Sequence, residues 1–179
     1  IKTQQRTGLE VIASASGYVS RIKVSHYGYG KALYITHPNG YTTVYGHLDK
    51  FSPELEAFVK RKQYETESYE IELFPNPDEL VVSQGELVAY SGNTGGSGGP
   101  HVHFEIRDKN ERPMNAQLFG IEVPDHRDPI INDLYAYTLS DSSTVNQTQQ
   151  RQKISFSKQP DGTFLSEKVD FMPENQLVH

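Results

Sequence analysis

The 179-residue chain is 35% apolar and 11% aromatic, enough for a real core in one domain and part of a second, and above the disordered regime. Its net charge is −6, with 12 basic and 14 acidic residues before Ile121 and 5 and 9 from there on, so neither half offers the basic face that nucleic acid or an anionic membrane surface requires. No apolar run reaches the ~20 residues of a membrane span, and because the chain has no Cys, any metal site must be built from His, Asp and Glu.

Tyr, Phe, Val and Thr spread among many glycines lean the composition toward β structure, and the first fifty residues read as short strands joined by Gly turns. Residues 11–15 lead to Gly17. Residues 18–24 alternate with period two, which predicts Tyr18, Ser20 and Ile22 on one face and Val19, Arg21 and Lys23 on the other. After Gly28 and Gly30, residues 32–37 and 41–47 flank Pro38-Asn39-Gly40, a hairpin signal. Ser52-Pro53-Glu54 predicts a helix start, with Ser as N-cap and Pro at the first helical position. Leu55, Phe58 and Val59 form its apolar stripe, and its end is expected near Tyr64. Residues 69–73 alternate as a strand, and residues 80–82 and 86–90 flank a Ser83-Gln84-Gly85 turn. Beyond Gly120 the texture changes. Val123-Pro124 and Asp128-Pro129 mark a linker, and residues 134–137 with a hairpin about Pro160-Asp161-Gly162 predict the start of a second, β-rich module over 124–179.

The chemistry sits in His101-Val102-His103-Phe104-Glu105-Ile106-Arg107. On a strand, alternate side chains share a face, so Val102, Phe104 and Ile106 are expected to enter the core while His101, His103, Glu105 and Arg107 line the opposite side. Imidazoles two residues apart stand ~6–7 Å apart along a strand. One can then bind a metal while its neighbour meets a water or substrate held there. A lone H-x-H is more often an ordinary surface pair. Here it directly follows a glycine-rich loop, residues 91–100, which has neither the Gly-Lys-Ser/Thr ending nor the G-x-G-x-x-G spacing of nucleotide loops.

Together, Gly92-Asn93-Thr94-Gly95 and Gly99-Pro100-His101-Val102-His103-Phe104-Glu105 closely resemble the signature of the lysostaphin/LytM-type zinc endopeptidases, enzymes of bacterial cell-wall peptides. Pro38-Asn39-Gly40-Tyr41-Thr42-Thr43-Val44-Tyr45-Gly46-His47-Leu48 resembles that family's hairpin and the strand carrying its additional active-site histidine. Gln84-Gly85-Glu86-Leu87-Val88-Ala89 resembles its later turn. The blocks occur in order over residues 8–120. The resemblance implies a mainly β fold: the antiparallel, duplicated-hybrid-motif-like core of the lysostaphin-type peptidase over residues 1–121, with a helix and strand inserted at about 52–74. It also implies one Zn2+, with His103 as a ligand and with His101 and His47 as catalytic residues facing each other across a groove. His37 is expected to serve a turn, and His26, His126 and His179 match no functional position. For Glu105 two readings stay open, a supporting partner of the site or a solvated charge.

That family holds zinc with the His and Asp of an H-x-x-x-D motif and the second His of H-x-H, leaving one position for water, as a catalytic zinc requires. No H-x-x-x-D precedes His47. Ile1-Lys2-Thr3 resembles the residues that follow the Asp, so the remaining His and Asp are expected upstream of Ile1, and residues 1–179 alone are expected to bind zinc weakly. The implied function is cleavage of peptide cross-links or stems of peptidoglycan, in the periplasm, the envelope or outside the cell. The rival reading is a catalytically inactive LytM-like module that binds the wall or activates another hydrolase. Retention of His47, His101 and His103 argues for the enzyme.

Overall fold

Turn chemistry and alternating apolar residues give the first 123 residues nine strands and one long helix. These are β1 (Glu10–Ile12), β2 (Gly17–Val24), β3 (Lys31–Thr36), β4 (Thr42–Phe51), α1 (Pro53–Thr66), β5 (Ile71–Leu73), β6 (Val81–Val82), β7 (Leu87–Ser91), β8 (His103–Arg107) and β9 (Pro113–Met114). In this computed structural model, which describes residues 1–123, 130–138, 140, 143–145, 147–166 and 171–172, the chain divides into two units, Ile1–Val123 and Pro124–His179. The strands of the first unit form one antiparallel sheet in the order β1-β7-β4-β3-β2-β5, with β6 also on β2, β8 also on β4 and β9 on β8. The fold is thus mainly β and antiparallel with one long helix, as the lysostaphin-type resemblance implies.

One facing prediction fails. Val19, Ile22 and Val24 all enter the same core, together with Leu33, Ile35 and Val88. Val19 pairs with Ile35 but Arg21 pairs with Tyr34, so Ser20 is an extra residue in β2. Such a bulge re-phases every side chain beyond it, which carries Ile22 to the face Val19 already occupies. In β8 the expected alternation appears: Val102 joins the core, Phe104 packs against it and Ile106 is buried.

Helix α1 begins where Ser52 and Pro53 place it, yet the Ser52 side chain makes no cap hydrogen bond. Glu56 instead reaches back to accept from Phe51 N at 3.0 Å. Leu55, Phe58 and Val59 bury against the sheet core as the stripe predicts. At the other end, Glu67 takes a left-handed conformation and its N–H closes on Gln63 O and Tyr64 O, a C-terminal turn of the kind glycine usually makes.

In the second unit, β10 (Leu134–Ala136) pairs with β12 (Gln152–Ile154), β11 (Thr144–Val145) with β15 (Phe171–Met172), and β13 (Phe156–Lys158) with β14 (Phe164–Ser166). The last pair is the hairpin read from Pro160-Asp161-Gly162, with Asp161 Oδ1 accepting from Thr163 N at 2.9 Å. His126, Asp128 and His179 lie outside the described residues.

Candidate metal and catalytic centre

Strand β4 changes partner halfway along one edge. Residues 42–46 lie against β8, with Gly46 opposite His103, whereas residues 48–51 lie against β7, with Leu48 opposite Ser91. His47 occupies the handover and has φ +57°, a left-handed conformation that His adopts more readily than bulky or branched residues. Strain of this kind gathers where a side chain must be re-aimed. Its N–H is satisfied by Tyr29 O at 2.8 Å. The result places the buried His47 ring 4.7 Å from that of His101 and 5.8 Å from that of His103. Gly46 leaves little room: a Cβ there would stand 3.3 Å from the Cβ atoms of both His103 and Tyr29.

The glycine-rich loop has a defined task in this arrangement. Gly30 and Gly95, both at positive φ, bring two turns so close that a Cβ on Gly95 would lie 2.3 Å from Gly30 N. Between them Thr94 is fixed, accepting from Lys31 N at 3.0 Å and donating to Leu48 O at 2.8 Å through its hydroxyl. Its carbonyl then accepts from His47 Nδ1 at 2.8 Å. Further along the loop, Gly99 O accepts from His101 Nδ1 at 2.8 Å. A carbonyl can only accept, so both Nδ1 atoms carry protons, and in the neutral rings both Nε2 atoms present lone pairs. Burial first, and the two neighbouring histidines after it, push the His47 pKa down, against the Thr94 hydrogen bond that raises it.

His103 is held the other way round. Its Nε2 donates to Glu105 Oε1 at 2.6 Å, which leaves Nδ1 as the available nitrogen. Glu105 also accepts from the Tyr29 hydroxyl and, at 2.7 Å, from Arg107 Nε. Burial alone would raise the Glu105 pKa, but the hydrogen bonds from Arg107, Tyr29 and His103 outweigh it and hold the group at about 2. Its side chain is 13% exposed, so the solvated-charge reading of Glu105 is overturned; it is an ionised carboxylate locked behind an imidazole. The Tyr29 ring also stacks on His103, with centroids 4.5 Å apart. Tyr29 escaped the sequence reading, although its place between Gly28 and Gly30, in a turn built for close approach, was the available signal.

One ring nitrogen each of His47, His101 and His103 lies within 4.8 Å of the others. His103, backed by a carboxylate on its second nitrogen, has the surroundings that orient a metal-binding imidazole, and the free nitrogens of His47 and His101 lie near enough to meet a water held there. Of the residues present, His103 fits a zinc ligand. His37 differs: it is buried and both nitrogens are engaged, with Ser16 O at 2.9 Å and Thr43 Oγ1 at 2.8 Å. His26 stacks on Tyr69, away from this group.

Known proteins place this geometry in context. The chain is 33% identical over 118 residues to the DD-carboxypeptidase/endopeptidase Mpg of Neisseria meningitidis, covering 66% of this chain and 21% of that protein. It is 33% identical over 116 residues to the peptidoglycan DD-endopeptidase ShyA of Vibrio cholerae, covering 65% and 21%. The chain thus spans about a fifth of the length of these relatives. Among solved structures it is similar to the catalytic domain of the peptidase lysostaphin from Staphylococcus simulans, at 22% identity and a TM-score of 0.45, over 64% of this chain and 71% of that one. The model of Peptidase family M23 matches residues 1–65 and 78–116, a span that includes all of α1 but its last residue, all three clustered histidines and Glu105, and leaves out 66–77. With more than half of its residues in that match, the chain belongs to Peptidase family M23.

Proposed function

We propose that the unit of residues 1–123 is the catalytic core of a zinc-dependent endopeptidase that hydrolyses D,D-peptide bonds in peptidoglycan, acting in the periplasm, the envelope or outside the cell. The observation that carries the reading is the clustering of His47, His101 and His103, each with one nitrogen tied to an acceptor and the other left for chemistry. The names of the relatives supply the substrate class. In this reading His103 Nδ1 binds the metal, and a His and an Asp preceding Ile1 complete the set. The register supports that order: Lys2 pairs with His101, and Val102 N donates to Ile1 O at 3.0 Å, which sets residues 1–2 antiparallel to the segment that leads into His103.

Zinc, when bound, supplies Lewis acidity and lowers the pKa of water to ~7. The protein does the rest. Glu105 fixes the His103 ring, and Thr94 O and Gly99 O fix the tautomers of His47 and His101. One of the two Nε2 lone pairs takes the single proton that the attacking water gives up, while the other orients the water by accepting its second O–H. The ring that took the proton, now cationic, steadies the oxyanion and returns that proton to the leaving amine.

Substitutions in the full-length protein test the roles. His103→Ala should lose both zinc and peptidoglycan cleavage. His101→Ala and His47→Ala should keep zinc while turnover falls on the order of 10²–10⁴-fold. Metal analysis and release of cross-linked peptide fragments measure the two quantities. Equal activity in the parent and His101→Ala would sink the mechanism, and a zinc-loaded parent that releases nothing from diverse peptidoglycans would sink the enzyme.

A further inference from the structure

Residues 66–77, which the family match leaves out, are fastened to the sheet of the first unit. Strand β5 pairs with β2, Ile71 opposite Val24 and Leu73 opposite Ile22, and both Ile71 and Leu73 pack against the core. Just ahead of β5, Tyr69 O accepts from Gln63 Nε2 at 2.6 Å and Glu70 O accepts from Ser68 Oγ at 2.7 Å. Main-chain anchors on both sides therefore fix where the Glu70 side chain begins. That side chain reaches the turn between β2 and β3, residues 25–30. Glu70 Oε1 accepts from His26 N at 2.7 Å and from Ser25 Oγ at 3.1 Å, and the Tyr69 ring stacks on His26 with centroids 5.0 Å apart. The His26 bond first, and the Ser25 bond after it, hold the Glu70 pKa below its usual value, which keeps the carboxylate an acceptor.

The same turn meets the centre with its other residues. Tyr29 O accepts from His47 N, and Gly28 O accepts from Gly96 N in the glycine-rich loop, each at 2.8 Å. The Tyr29 ring lies on His103 and its hydroxyl donates to Glu105. Within the turn, Ser25 N donates to Gly30 O and Gly30 N to Tyr27 O, both at 3.1 Å, so a shift at Ser25 and His26 is passed on to Tyr29. Gly28 and Gly30 are both at positive φ. Glycine leaves such a turn many alternative conformations, and contacts from outside the turn are what select one.

We propose that Glu70 is a positioning residue of the centre: by holding Ser25 and His26 from outside, it seats the 25–30 turn and so keeps Tyr29 on His103 and His47. The inference rests on the reading of those histidines as a peptidase centre. It adds that the segment 66–77 serves that centre without touching substrate or metal. Because both bonds go to the same oxygen, the role belongs to Oε1 as an acceptor, and an amide oxygen in its place performs it.

The test is amide hydrogen exchange of the full-length, zinc-loaded protein, followed by mass spectrometry of its peptides, beside steady-state cleavage of peptidoglycan. In Glu70→Ala, peptides that report His47 N and Gly96 N, the amides bonded to the turn, should exchange about fivefold faster. Those of β7 should not change. The same variant should lose about fivefold in kcat, with KM near that of the parent. Glu70→Gln should restore both quantities, and Glu65→Ala, on the surface of α1, should match the parent. Unchanged exchange at His47 and Gly96 in Glu70→Ala overturns the inference, as does acceleration that spreads to β7, which is plain destabilisation. So does a Glu70→Gln variant as loose as Glu70→Ala, or looser exchange with an unchanged kcat. A parent that cleaves nothing, alongside exchange that depends on Glu70 as described, counts against the peptidase reading and leaves the seating of the turn in place.

Discussion

The two sides of the centre are held by different means. On the β8 side, His103 is gripped by side chains, through the Glu105 carboxylate and the Arg107 and Tyr29 groups that keep it ionised. On the loop side, His47 and His101 are gripped by main chain, through Thr94 O and Gly99 O. The contrast suits the proposed tasks. A metal ligand gains basicity from a charged partner, whereas a proton-transfer group needs a fixed tautomer without an added charge that would hold it protonated. It also implies two distinct failure modes, loss of metal on one side and loss of turnover on the other.

The largest effect that sharpens this comparison is expected at Gly95. A methyl group there collides with the Gly30 backbone and moves the Thr94 carbonyl off His47. Gly95→Ala should lower kcat on the order of a hundredfold, the cost of misplacing a catalytic group, while zinc content stays near that of the parent. Steady-state kinetics beside metal analysis decide it, and parallel loss of zinc and kcat would erase the division between the two sides. Next comes Glu105→Gln, which removes the charge behind His103. Zinc affinity, measured by chelator competition, should fall about tenfold or more, and kcat at saturating zinc should fall much less.

Tyr29→Phe keeps the ring on His103 but deletes the hydroxyl that donates to Glu105. Stability in urea should drop by about 1–2 kcal/mol, with a severalfold weaker hold on zinc. The smallest effect on the site is expected at His37, where both nitrogens serve structure. His37→Gln should cost about 1–3 kcal/mol of stability and leave zinc content and kcat within twofold of the parent. Loss of metal in that variant would mean that the hairpin, and not only the two flanking walls, sets the centre.

Much of this division was legible in the residues. The alternation of Val102, Phe104 and Ile106 fixes the core face of β8, and so aligns His101, His103 and Glu105 on the other. Pro38-Asn39-Gly40 sets the hairpin that delivers His47, and Ser52-Pro53 starts α1. Each of these depends on neighbours within a few positions, where covalent geometry and periodicity do the deciding.

Other features had no local signature. The extra residue at Ser20 follows from how β2 meets β3, not from the sequence of β2. The left-handed backbone at His47 arises because β4 passes from β8 to β7 at that residue. Glu105 could be read as solvated until Tyr29, 76 positions earlier, closed over it. What the sequence alone determined was which residues share a face and where the chain turns, because these follow from short-range backbone geometry. Which nitrogen of each histidine is free, and which carboxylate stays charged, only the tertiary structure decided, because hydrogen bonds and burial depend on groups that folding brings from distant parts of the chain.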